Sequence, residues 1–327
     1  MRPAFSVILL TTLIGAGQGL FIAIVLIQTL AVLGLGPAAV SPAFAGGGSA
    51  LALALLAAGL AASFFHLGRP ERAWRSAAMW RTSWLAREVI ALPAFMGTVA
   101  LYGMLQISGW SPVLLHAGGP APTIDLGLVV GLIGVLLALA LFVCTGMIYA
   151  CLRFLAEWHT PLTPLNYTLL GAASGFTLAA GFAAMVQPAH ADLLLACAIS
   201  LTILGAVGRS AALVRNSRLV PRSTAQTAIG VKHPRVVQRS MGFMGGSFNT
   251  REFFHGASPA WMRTVKPAFL LLAFVLPLLL LATGLHGGSP QWPLLAFAVQ
   301  YVGLLAERWY FFAQANHPQN LYYQVIS

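Results

Sequence analysis

The chain has 327 residues, of which 58% are hydrophobic and 8% charged, and it carries a net charge of +11. About a quarter of the residues in an ordinary soluble domain are charged, so a water-soluble globular protein is excluded. Apolar runs longer than the roughly 20 residues that cross a bilayer as a helix recur along it, and they do not alternate as barrel strands do. The fold class predicted is all-α, a polytopic membrane protein.

Taken in chain order, hydropathy predicts eight transmembrane helices, at about 6–34, 46–66, 84–107, 124–150, 164–187, 191–213, 266–286 and 291–313. Glycine and proline punctuate the gaps, as at Gly118-Gly119-Pro120 and Gly287-Gly288 with Pro290. The apolar N-terminus runs past signal-peptide length with no A-x-A-like cleavage site in the usual place, which makes it a retained first helix. The whole of 1–327 reads as a single membrane-anchor domain with one long cytoplasmic loop at about 214–265. In the first span, Gly15, Gly17 and Gly19 beside Gln18 permit close helix packing, or leave room for a flat ligand.

The eighteen lysines and arginines fix the topology. With eight spans they all fall on one side: Arg2, five arginines in the loop after span two, Arg153, the series from Arg209 to Lys266, and Arg308. The opposite loops, 36–45, 108–123, 188–190 and 287–290, have none. The positive-inside rule then puts both termini and the basic loops in the cytoplasm. Basic residues flanking apolar spans contact lipid or an acidic partner, so the charge does not indicate nucleic acid.

The densest polar stretch is F-F-H-L-G-R-P-E-R-A-W-R-S-A-A-M-W-R-T-S-W-L-A-R-E, from Phe64 to Glu88. His66 sits at the predicted lipid–water boundary, where an imidazole can hydrogen-bond a quinone carbonyl and relay its proton. Arg69 and Arg72 could offset negative charge building on a reduced quinone, and Trp80, Trp84, Arg87 and Glu88 complete the candidate site. The residues alone leave a second reading open, in which His66 caps a helix and the arginines pair with Glu71 and lipid phosphate. Acids at membrane depth are functional candidates, which singles out Glu88 and Glu307; structural ion pairs between helices account for them equally well. Glu307 and Arg308 are adjacent and so point to different helix faces, each requiring another partner. Asp125 and Asp192 read as helix starts.

In the long loop, Phe243, Phe248, Arg251, Phe253 and Phe254 are candidate anchors for a partner protein, together with Arg75 and Arg81. Dipping of the phenylalanines into lipid is the alternative. The three cysteines, Cys144, Cys151 and Cys197, form no C-x-x-C, which argues against an iron–sulfur cluster or metal site in this chain. The eight histidines fall at span ends or in loops; His66 and His159 share a side and could pair, but no two face each other from within neighbouring spans, which argues against haem b.

The segments P-A-F-S-V-I-L-L-T-T-L-I-G-A-G-Q-G-L (Pro3 to Leu20), H-L-G-R-P-E-R-A-W-R (His66 to Arg75) and W-R-T-S-W-L-A-R-E (Trp80 to Glu88) resemble the membrane anchor subunit of dimethyl sulfoxide reductase. The resemblance covers the eight-span plan over nearly the whole chain, and the 66–88 block is its specific part. It implies an anchor in a three-subunit enzyme. A molybdopterin catalytic subunit and an iron–sulfur subunit would dock on it, their cofactors staying in those partners, and the anchor would exchange electrons with ubiquinone or menaquinone. The family's quinol-site histidine falls on His66. The longer insertion and the cytoplasmic docking face depart from that reductase and are similar to the anchor of the cytoplasmic sulfite-oxidising molybdoenzyme. A transporter is the reading from another class, but it calls for internal repeats and paired mid-membrane charges, and no repeat is visible. An anchor that only tethers its partners is the third.

Overall fold

A computed structural model describes residues 1–36, 39–116, 123–221, 223–239, 253–287 and 289–322. Ten α-helices organise them: α1 (Phe5–Val32), α2 (Pro42–Phe64), α3 (Trp84–Ser108), α4 (Leu126–Ala150), α5 (Leu162–Val186), α6 (Ala191–Ser217), α7 (Ala225–Ile229), α8 (Pro259–Leu270), α9 (Leu276–Gly287) and α10 (Gln291–Ala313). A short antiparallel hairpin, β1 (Val113–His116) with β2 (Thr123–Asp125), joins α3 to α4. Periodicity did not announce this hairpin, since its strands are too short to alternate.

Local chemistry sets the helix starts. Ser41, Ser83, Asp125 and Ser258 each accept a backbone N–H from the first turn of the helix that follows, which satisfies a donor with no intrahelical partner. Ser41-Pro42 and Ser258-Pro259 begin α2 and α8 at residues 42 and 259, where hydropathy alone placed the starts at 46 and 266. Serine followed by proline is a helix-start signal in its own right. Asp125 and Asp192 stand at the starts of α4 and α6, as their sequence positions indicated.

Among the described residues, seven helices are long and apolar enough to cross a membrane, with α8 and α9 counted as one. They are continuous through a π-helical turn at Leu271–Val275, just beyond Pro267. The eighth expected span, α10, has the length at 23 residues but is more polar, carrying Gln300, Glu307 and Arg308. By length and composition, seven of the eight expected spans are found among the described residues. The start of the chain meets the end of α10: the Met1 amine donates to the Ala315 carbonyl at 2.7 Å. Burial lowers the proton affinity of that amine from its ordinary value of 8.0 to about 6, against the opposing pull of Glu157.

The first helix is the centre of the bundle, packing on α2, α4, α5 and α10. On one side Phe21 meets Phe95 and Tyr102 of α3 edge to face, and the Tyr102 hydroxyl donates to Gln28 at 2.6 Å. On another, Gly19 lies directly against Gly171 and Gly175 of α5, so that a Cβ added at Gly175 would collide with the Gly19 backbone. The packing reading of the first-helix glycines thus holds at this crossing. Lipid offers no hydrophobic drive for helices to associate, so such close backbone approach supplies the dispersion contacts that do.

Gly175→Leu should separate α1 from α5 and lower the detergent unfolding temperature by several degrees, or abolish folded protein. Gly97→Leu, at a position where an added Cβ meets nothing within 4 Å, should leave that temperature unchanged.

Candidate functional site

The loop between α2 and α3 folds as a 3-10 helix, Pro70–Met79, with none of its residues buried. Arginines and tryptophans pair along it. Arg75 lies over Trp74, Arg81 over Trp80 at 5.1 Å, and Arg87 over Trp84 at 4.2 Å. Arg87 also donates to the carbonyls of Trp80 and Arg81, both at 2.9 Å, pinning the end of the loop to the first turn of α3. Glu71 and Arg72 form an exposed pair at 3.8 Å; such pairs contribute little.

His66 is exposed, two residues beyond α2, and its neighbours Phe65 and Phe64 are exposed as well. Partial desolvation lowers its proton affinity below the ordinary imidazole value, which favours the neutral ring, a group that can both donate and accept. Arg69 and Arg72 share this surface. His66 lines neither of the two small cavities inside the bundle nor the large one at the start of the chain.

Glu88 parts from the group. Where Arg87 turns outward to the loop, Glu88 turns inward and is 9% exposed. It accepts the Thr145 hydroxyl from α4 at 2.5 Å. It borders a cavity of about 10 Å³ with Thr11, Gln18, Phe142 and Tyr167, roughly the space of one water molecule. Trp80, Arg81, Trp84 and Arg87 meet at the end of the loop, whereas Glu88 belongs to the interior of the bundle.

A second polar cluster lies between α5, α6 and α10. Glu307 is shared: Arg209 of α6 reaches Oε1 at 2.6 Å and the adjacent Arg308 reaches Oε2 at 3.2 Å. All three are at least 95% buried. Glu307 and Arg308 each find a further partner, Arg209 and the Tyr167 ring, as their adjacency on the helix required, but they also reach each other. The guanidinium of Arg308 folds back along α10, and its other face covers the Tyr167 ring at 3.7 Å. Tyr167 in turn stacks on Tyr149 of α4 at 5.6 Å. Around them Trp158, Phe311 and Phe312 form an aromatic layer. A cavity of about 10 Å³ opens beside the ion cluster, lined also by Glu157, Asn166 and Asn216. Because Arg209 and Arg308 are buried in ion pairs, sixteen of the eighteen basic residues remain for the topology count. No spacing rule finds the pairing, since Arg209 and Glu307 are far apart in the chain; the signal in the sequence was an acid at membrane depth, Glu307, which left its partner helix unnamed.

Of the proposed partner anchors, Phe243, Phe248 and Arg251 lie outside the described residues. Phe253 stacks on His317 at 4.3 Å, and Phe253 and Phe254 are half-buried. His159 places Nδ1 2.6 Å from the Ala150 carbonyl. Among the described residues, no group of three or more His, Cys, Asp or Glu gathers to hold a metal ion.

Residues 1–313 match the family described as DMSO reductase anchor subunit (DmsC). The chain belongs to that family. It is also 54% identical to the C subunit of sulfite dehydrogenase from Allochromatium vinosum over 327 residues, the full length of both chains. Family membership and the apolar helices together make this an integral membrane anchor subunit.

Breaking the Glu307 cluster by Glu307→Leu should leave two buried guanidinium groups without their shared carboxylate and destabilise the protein by about 3–5 kcal/mol. Glu88→Gln keeps an acceptor for Thr145 and should fold to wild-type yield. Folded yield and thermal unfolding in mild detergent compare the two.

Proposed function

We propose that this chain is the membrane anchor and quinone-reactive subunit of a three-subunit molybdopterin and iron–sulfur oxidoreductase, of the type that oxidises sulfite and reduces quinone. The observation carrying this reading is the 54% identity, end to end, with the C subunit of a sulfite dehydrogenase. Service in a dimethyl sulfoxide reductase using quinol is the second reading, favoured by the family match. A transporter has less in its favour, since the buried charged cluster is engaged in ion pairs.

Eight crossings complete the topology. The meeting of Met1 with Ala315 supports an even number: seven crossings would leave the start of α1 and the end of α10 on opposite membrane faces. With α10 as the eighth span, the exposed loop of arginines and tryptophans shares the cytoplasmic face with both termini. The iron–sulfur subunit docks there, on Arg75 and Arg81 and on the aromatic residues of the long loop, with the molybdopterin subunit beyond it.

Reduction of quinone takes two electrons and two protons. The docked subunit supplies the electrons, and this chain's residues handle the head group and protons. Neutral His66 donates a hydrogen bond to a quinone carbonyl and passes a proton to it from the aqueous side. Arg69 and Arg72 balance negative charge, and Trp80 and Trp84 offer flat apolar faces at the level of the head group. Glu88, one residue from the loop anchor Arg87 and buried against Thr145, is the acid on the inner side.

His66→Ala should reduce quinone-linked turnover of the assembled complex at least about a hundredfold, within the range for loss of a general acid–base group, while turnover with an artificial dye acceptor persists. Equal loss of both activities would remove His66 from the site.

A further inference from the structure

A cavity of about 1010 Å³, unconnected with His66, lies between the start of α1, the start of α8 and the end of α10. Its walls carry hydrogen-bond donors from several directions. The Met1 amine is held there by Ala315, and Arg2 follows it. His255 accepts the Ala257 N–H through Nδ1 at 3.0 Å, which leaves the proton of the neutral ring on Nε2, free to donate. Gln314 lines the cavity, and its Nε2 is buried without a hydrogen-bond partner. Buried donors are rarely left unpaired, so this one calls for an acceptor. The described lining includes no carboxylate; Glu157 lies beyond it, accepting the Asn316 N–H at 3.2 Å. Among the described residues of the wall, Asn320 Oδ1 is a buried side-chain acceptor without a partner.

Apolar groups complete the enclosure. Phe253, Phe254 and Met262 line it, and nearby Trp261 and Trp309 meet edge to face at 6.1 Å, the kind of aromatic pair found at head-group depth. The volume far exceeds one small anion, and basic pockets at the cytoplasmic ends of membrane helices suit anionic head groups.

From this we infer that the cavity between the start of the chain and the end of α10 binds a phosphate anion, held by Arg2, the Met1 amine, His255 and Gln314. The shared chemistry is a phosphate oxygen accepting several N–H groups; its source is an anionic phospholipid or free phosphate. Occupancy ties the N-terminus to the ends of α8 and α10, so the ligand fastens the cytoplasmic rim of the bundle. The inference stands apart from the quinone reading and is tested without redox activity.

Native mass spectrometry of the delipidated full chain, titrated with equal phosphatidylglycerol and phosphatidylcholine, is the test. One phosphatidylglycerol should be retained in clear preference. Arg2→Gln, at an exposed position, should weaken that preference about fivefold, the effect of one basic residue, and Arg2→Lys should restore it. Gln314→Leu should weaken it too. Millimolar inorganic phosphate that displaces the lipid would make phosphate itself the recognised group; failure to displace it would make the whole lipid the ligand. Equal retention of both lipids without competition by phosphate, or a preference unmoved by Arg2→Gln and by Gln314→Leu, would overturn the inference.

Discussion

The buried carboxylate of Glu307, shared by two guanidinium groups, constrains the interior more than any other interaction. Each of those charges alone in a low-dielectric bundle would cost several kcal/mol. The arrangement that pairs them fixes the register of α6 against α10, because a slip of one turn would leave a bare charge in an apolar wall. Arg308 then carries the constraint to α5 through Tyr167, and Tyr167 carries it to α4 through Tyr149. The Thr145 hydroxyl lies one turn from Tyr149 on the same helix and holds Glu88 of α3. Four residues with opposing charges are thus placed by one continuous polar and aromatic seam, although ion pairing of this kind adds little net stability.

Around that seam the packing is made by small residues. Gly19 against Gly171 and Gly175 brings α1 and α5 to backbone contact, and Gly303 of α10 fits against the Leu272–Ala273 backbone in the π-helical turn. The widened turn also leaves the Ala273 carbonyl open to Gln300 of α10 at 3.4 Å. Tight crossings and the shared carboxylate do complementary work: the first supplies contact, and the second selects one arrangement among the many that apolar helices could adopt.

The helical class, the span positions and the close packing of the first helix were legible in the sequence, because hydropathy and glycine spacing act locally. Two helix starts were placed late because hydropathy ignores a serine cap followed by proline. The loop pairs of arginine with tryptophan were legible as a cluster, since each joins residues at most three apart in the chain. Glu88 was grouped with that cluster by its position, yet a helix turns successive residues by about 100°, and the turn from Arg87 to Glu88 carries it from surface to interior. The pairing of Arg209 with Glu307 depends on which helices meet, which no local pattern encodes.

Two parts of the molecule are distinct: the exposed loop that begins beside His66, and a buried acid, Glu88, inside the bundle. An anchor needs both a surface that another protein can cover and an interior rigid enough to hold that surface still, and the seam provides the second. Purification of the C-terminally tagged chain from gently solubilised membranes, followed by metal analysis, bears most directly on the central claim. The account predicts that molybdenum and iron accompany the chain together with two further polypeptides. Recovery of the chain alone, free of both metals, under conditions that preserve other membrane complexes, would contradict it.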